Sequence, residues 1–134
     1  MFTTPSPTLL RKLLLLDALL CTVTGAVLTA SATPLAGLMA IPAPLLFWAG
    51  AVLFPVAVFM AAVATGVVGW RHAVGLIILG NGLWTLASVC LMLGPWIAPN
   101  ALGHAFIGFQ ALGVAFITAL EYRASCHAGT LAAA

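Results

Sequence analysis

The feature that most constrains this sequence is an apolar run over residues 13–31, LLLLDALLCTVTGAVLTAS, which is long enough to cross a lipid bilayer. The run contains Asp17, one of only two acidic residues in the chain. A charged side chain at the centre of a bilayer costs roughly 2.5–3.5 kcal/mol or more, so an acid within a span indicates a functional group or a specific partner. Asp17 is therefore the first candidate site residue.

The composition predicts an integral membrane protein. Of the 134 residues, 64% are hydrophobic and 4% are charged, whereas soluble domains carry roughly 25% charged residues. So few charges cannot cover the surface of a water-soluble fold, and four spans of about 20 residues use nearly the whole length. The chain therefore has no room for a separate soluble domain.

The order of apolar and breaking residues predicts an all-α membrane protein with four transmembrane helices in an up-down antiparallel bundle. Short connections between the spans favour antiparallel neighbours. Between the first two spans, residues 33–43 contain two prolines and a glycine and are expected to form a loop or short helical turn. The predicted segments are a polar lead-in over residues 1–8, helices over about 9–32, 44–69, 73–93 and 100–123, and a flexible cytoplasmic tail over 124–134.

The basic residues predict the orientation. All four, Arg11, Lys12, Arg71 and Arg123, fall in the segments that would lie on the same side as the termini. The positive-inside rule therefore places the N-terminus and the C-terminus in the cytoplasm. Because these residues are dispersed, they do not form a nucleic-acid-binding patch, and we expect no nucleic-acid partner.

Two polar layers are predicted from helical spacing together with depth in the membrane. Depth is counted along each helix from its basic residue at about 1.5 Å per residue. The mid-membrane layer is expected to contain Thr24, Asn81, Trp84 and Gln110, with Thr85 on the same face as Asn81. The layer on the cytoplasmic side is expected to contain Asp17, Thr118 and Glu121. Together these eight residues are the candidate site.

Each layer has two interpretations. The mid-membrane side chains either bond neighbouring helices to one another or orient the polar group of a largely apolar ligand in a pocket, with Trp84 as a flat wall. Asp17 is protonated, or paired with Arg71 or Arg123, or binds a proton or cation. No two histidines share a helix face and depth, so we expect no metal site and no cofactor.

Three short stretches resemble a family of small, uncharacterised bacterial four-helix integral membrane proteins. They are LLLDA at residues 14–18, NGLW at residues 81–84, and Glu121 with Tyr122. The resemblance implies a multi-pass protein of the bacterial inner membrane with no known activity. Small multidrug-resistance transporters are similar in length and also carry an acid in the first helix, but the one-sided basic residues and the position of Asp17 disfavour that assignment.

The favoured function is non-enzymatic: binding of a hydrophobic or lipid-like molecule in the bundle, or service as an accessory subunit of a larger membrane assembly. Two alternatives stay open. One is a small proton- or cation-coupled transporter that uses Asp17, and the other is a membrane-embedded isomerase-like enzyme with Asp17 or Glu121 as acid or base. The expected partners are the lipid bilayer, a hydrophobic small molecule, and further copies of the chain or a larger membrane complex.

Overall fold

The computed structural model describes residues 7–132, with side chains described over residues 8–128. This part of the chain is all-helical, and four of its helices are long and apolar enough to cross a membrane. These are α1, α3, α4 and α5; α2 is short. The helices are α1 (Pro7–Ala30), α2 (Ala32–Met39), α3 (Ala43–Ala64), α4 (Trp70–Leu93) and α5 (Ala101–Ala132).

The connection after α1, expected to be a loop or short helical turn, contains the short helix α2. Pro34 lies in the first turn of α2. Backbone N–H groups in a first turn have no partner within the helix, so the proline costs no helical hydrogen bond and does not break the helix. The helix ends at Met39, and the next residue, Ala40, adopts a left-handed conformation with φ of 54°. Residues 33–43 thus form one more helical element and a tight turn.

Other boundaries also differ from the predicted ones. α3 ends at Ala64, before a turn in which Gly66 has φ of 82°. α5 continues to Ala132, so residues 124–132 are helical where a flexible tail was expected. Of the lead-in, residues 7 and 8 belong to α1, while residues 1–6, like residues 133–134, lie outside the described residues.

The long helices form two closely packed pairs. α1 packs along α3, and α4 packs along α5. The pairs meet mainly through α1 and α5, whereas α3 and α4 share few contacts. The arrangement therefore leaves one side between α3 and α4 only partly closed.

All four long helices come together at one end of the molecule, in an apolar cluster that we call the basic-end core. The residues that α1 and α4 contribute to this core include sequence neighbours of Arg11 and Arg71. The residue contributed by α5, Ala124, directly follows Arg123. The Arg11 Nε donates a hydrogen bond to the Ala64 carbonyl at 2.7 Å, which ties the start of α1 to the end of α3. The buried members of the basic-end core include Leu10, Leu14, Met60, Val63, Val74, Ile77 and Ala124.

A second cluster, the far-end core, closes the other end around α2. Its members are Leu28, Ala32, Met39, Ile41, Leu46 and Ile107. Asn100 fastens α2 to α5, because its side-chain nitrogen donates to the Leu38 carbonyl at 2.7 Å and its backbone nitrogen donates to the Met39 carbonyl at 3.1 Å. The Asn100 Oδ1 also accepts a hydrogen bond from the Gly103 backbone at 2.9 Å and so caps α5.

The closest approach of α1 to α3 depends on two glycines. A Cβ atom on Gly50 would lie 2.8 Å from Leu28 Cβ and 2.9 Å from the Gly25 carbonyl oxygen. A Cβ atom on Gly25 would lie 2.9 Å from the Gly50 carbonyl oxygen. The backbones therefore touch at this crossing, as small residues allow between membrane helices.

This contact predicts that Gly50→Ala destabilises the protein. Overpacking of a close contact typically costs about 1–3 kcal/mol, so we expect a loss of that size in the free energy of unfolding, measured by SDS titration in mixed micelles. Gly82→Ala in α4 is the matched control, since a Cβ atom there meets no neighbouring atom. Equal stability of the two variants would contradict the assigned crossing.

Candidate functional site

The two acidic side chains of the protein meet inside the bundle. Asp17 on α1 and Glu121 on α5 are 3% and 0% exposed, and Asn81 on α4 lies between them. The Asn81 Nδ2 donates to Asp17 Oδ2 at 2.9 Å and to Glu121 Oε2 at 3.5 Å. We call these three residues the carboxyl cluster.

The carboxyl cluster is only partly satisfied by its neighbours. The Cys21 thiol, one turn along α1, donates to Asp17 Oδ1 at 3.8 Å. The second oxygen of Glu121, Oε1, is buried and has no hydrogen-bond partner among the described residues. In a low-dielectric interior such an unpaired polar atom is costly.

No basic side chain of the described residues forms an ion pair with the carboxyl cluster. The Arg11 guanidinium is bonded to the Ala64 carbonyl, and Lys12, Arg71 and Arg123 are exposed. The ion pair of Asp17 with Arg71 or Arg123, considered from the sequence, is therefore absent from this part of the chain. The cluster carries acidic groups without a compensating cation among these residues.

A second polar group, the tryptophan network, lies one helical turn along α4 from Asn81. The Trp84 indole nitrogen donates to Gln110 Oε1 at 2.9 Å, and the Gln110 Nε2 donates to the Ser88 hydroxyl at 2.8 Å. Ser88 in turn donates to the Trp84 carbonyl at 2.9 Å. These three residues, Trp84, Ser88 and Gln110, hold α4 against α5.

The structure groups the polar side chains differently from the two layers predicted from the sequence. Asn81 joins Asp17 and Glu121, not Thr24, Trp84 and Gln110. Depth was counted from Arg71 for Asn81, from Lys12 for Asp17 and from Arg123 for the α5 residues. Arg71 lies at the start of α4, whereas Lys12 lies more than a turn into α1 and α5 extends past Arg123 to Ala132, roughly 13 Å at about 1.5 Å per residue. The basic residues therefore do not mark one common depth.

The hydroxyl groups of Thr85 and Thr118, two of the predicted site residues, donate no hydrogen bond to a side chain of the carboxyl cluster or of the tryptophan network. The Thr118 hydroxyl donates to the Val114 carbonyl at 2.6 Å, and the Thr85 hydroxyl donates to the Asn81 carbonyl at 3.0 Å. Both are ordinary bonds to the preceding turn of the same helix.

An apolar pocket lies between the two helix pairs, in the half of the bundle away from the basic-end core. Its volume is about 350 Å³. Residues of α1, α3, α4 and α5 line it, together with Ile41 and Ile97 from the connections. Exposed lining residues Trp48, Val52 and Ala87 mark its opening, which lies between α3 and α4 where those helices separate.

The polar residues of the pocket are Thr24 and the three residues of the tryptophan network. Within residues 8–128 the Thr24 hydroxyl has no hydrogen-bond partner, so it remains available to a bound group. Gln110 uses one of its two amide hydrogens and one of its acceptor positions in the network. The pocket thus combines apolar walls with a small set of neutral polar atoms.

Sequence reasoning missed the roles of Cys21 and Ser88. Cys21 was not among the eight predicted site residues, although its spacing of four residues from Asp17 places both on one helix face. Ser88 was not among them either, and its bond to Gln110 depends on how α5 is rotated. The described part of the chain contains no group of three or more His, Cys, Asp or Glu side chains placed to hold a metal ion.

Comparisons with protein-family models, with curated proteins and with solved structures give no match to this chain. Its function is therefore argued from the pocket and the two polar groups alone.

The hydrogen bond between Trp84 and Gln110 predicts energetic coupling between these side chains. In a double-mutant cycle of Trp84→Phe and Gln110→Leu, we expect a coupling energy of about 0.6 kcal/mol, with about 1.7 kcal/mol as the upper value. The free energy of unfolding in mixed micelles measures it. Trp84→Phe combined with Thr118→Val should show little coupling, since no hydrogen bond joins that pair, and an equal coupling in both cycles would contradict the network.

Proposed function

We propose that this chain is a multi-pass membrane protein that binds a hydrophobic or lipid-like molecule in the pocket between α3 and α4. The observation that carries the proposal is the pocket itself: apolar walls, a side opening and a few neutral polar atoms. A volume of about 350 Å³ falls within the range of small-molecule sites.

The opening favours a ligand that enters from the bilayer. Trp48, Val52 and Ala87 at the opening lie on long apolar helices, so the entrance faces the lipid phase if these helices span the membrane. A hydrocarbon chain then moves between two apolar environments and needs no passage through water. This route selects for molecules that already partition into the membrane.

The polar atoms favour a neutral head group. No Lys, Arg, Asp or Glu lines the pocket, whereas the Thr24 hydroxyl and the Gln110 amide can each both donate and accept a hydrogen bond. An alcohol, ester or ketone group would satisfy them, and the Trp84 ring offers a flat apolar surface beside it. We therefore propose a largely aliphatic ligand with one uncharged polar group.

The proposed location is the bacterial inner membrane, with four spans in an up-down bundle and both termini in the cytoplasm. In support, α1, α3, α4 and α5 all contribute to the basic-end core, and Arg11, Lys12, Arg71 and Arg123 adjoin it. Basic residues concentrated at one end favour the cytoplasmic side.

A large side chain placed at the opening of the pocket should weaken the binding of the proposed ligand. In a variant that retains only Trp84 of the four tryptophans, a brominated dodecanol added to lipid nanodiscs should quench Trp84 fluorescence in a saturable manner. Ala87→Phe places a ring at the opening, and we expect affinity to fall at least about tenfold, equivalent to about 1.4 kcal/mol.

Ala105→Phe is the matched control, because Ala105 is exposed and does not line the pocket. Thr24→Val should weaken binding of the brominated alcohol but not of the brominated alkane of the same length. Quenching that never saturates, or that Ala105→Phe reduces as strongly as Ala87→Phe, would exclude a pocket ligand. Native mass spectrometry that finds stoichiometric partner chains and no retained ligand would favour the accessory-subunit function.

The proposed orientation predicts the behaviour of fusions to the C-terminus in bacteria. A fused green fluorescent protein should be fluorescent, and a fused alkaline phosphatase should be inactive, because both would lie in the cytoplasm. Active phosphatase would contradict the orientation. Fusions after Leu93 should give the opposite pair of results.

A further inference from the structure

We propose that Asp17, Asn81 and Glu121 form a binding site for one exchangeable proton, taken up by the pair of carboxyl groups. The proposal is independent of the pocket ligand. It rests on the meeting of the only two acidic side chains of the protein and on the unpartnered, fully buried Glu121 Oε1.

The first step of the argument is the shortage of donors. A single amide nitrogen, Asn81 Nδ2, donates to both carboxyl groups, at 2.9 Å to Asp17 and at 3.5 Å to Glu121. Two ionised carboxylates at this place would repel each other. One proton removes one of the two charges and with it the repulsion.

The second step is the surroundings of the cluster. α1 adds only the Cys21 thiol, which faces Asp17, and α4 adds only the neutral Asn81 amide. On α3 the neighbouring core residues, including Ala57 and Met60, are apolar, and α5 adds Glu121 itself. No Lys, Arg or His of the described residues pairs with either carboxyl, so a proton takes the place that a cation would otherwise fill.

The third step is the difference between the two carboxyl groups. Asp17 accepts hydrogen bonds on both oxygens, from Cys21 and from Asn81, which is the pattern of an ionised carboxylate. Glu121 has one oxygen with no partner, where a proton displaces no existing bond. Because the groups are coupled, the proton belongs to the pair and not to one residue.

The proton balance is simple. With one proton bound, the pair carries a single negative charge. Release of that proton to water leaves two carboxylates and a charge of minus two, with no other bond changed. Uptake of one more proton gives two neutral carboxylic acids.

Infrared difference spectroscopy of the purified wild-type protein in lipid tests the site. Between about pH 5 and about pH 9 a carboxyl group in water is already ionised. Asp17 and Glu121 are the two acidic side chains of the sequence, so a carbonyl band of a protonated side-chain carboxylic acid in this interval is assigned to them. We expect one such band that changes with pH over this interval. Incorporation of carboxyl-¹³C glutamate or aspartate should shift it, without any mutation.

Variants add a second readout. Glu121→Gln or Asp17→Asn should remove the pH-dependent change or move it by more than one pH unit. Thr118→Val, one turn from Glu121 with its hydroxyl bonded to its own helix, should leave the change as in the wild type. A pH response that stays as in the wild type in both acid variants would overturn the proposal.

Two results with the wild-type protein would also overturn it. One is the absence of any pH-dependent carboxylic-acid band over the whole interval. The other is loss of the band at constant pH on addition of sodium or potassium but not of choline, which would identify the cluster as a metal-cation site.

Discussion

The structure depends on the requirement that polar groups in an apolar interior find their partners within the protein. In hydrocarbon no water is available to an unpaired group. Asp17 and Glu121 are far apart in sequence, yet one amide nitrogen of Asn81 reaches both. That contact requires the three residues to lie at the same level of the bundle, and it fixes how α1, α4 and α5 are rotated about their axes. The buried residues of the basic-end core supply the packing that holds these helices in place.

The same helices enclose a space at the other end because their pairing is uneven. Gly25 and Gly50 allow the backbones of α1 and α3 to touch, so α3 follows α1 more closely than it follows α4. The tryptophan network holds α4 to α5. Each pair is thus well packed internally, and the pocket lies between the pairs. Asn100 closes the end beyond it by bonding α2 to the start of α5.

The sequence was sufficient to predict four helices long and apolar enough to cross a membrane, because a run of about 20 apolar residues is a strong signal. It also singled out Asp17, Asn81 and Glu121, since polar groups are rare in such helices. It did not bring the three together, because that depends on helix rotation and on the extension of α5 past Arg123. Nor could it predict the pocket, since α3 is apolar on every face and no period distinguishes the lining residues from those on the outside of the bundle.

The two polar groups differ in how completely they are satisfied, and this difference separates their roles. In the tryptophan network each member has a partner, which is the usual condition of buried polar side chains. In the carboxyl cluster Glu121 Oε1 has none. Departures from polar satisfaction concentrate where function requires them, because packing alone would favour an apolar residue at that position. The bonds within the network are therefore explained by the contact of α4 with α5, whereas the proposed bound proton accounts for the two acids of the cluster.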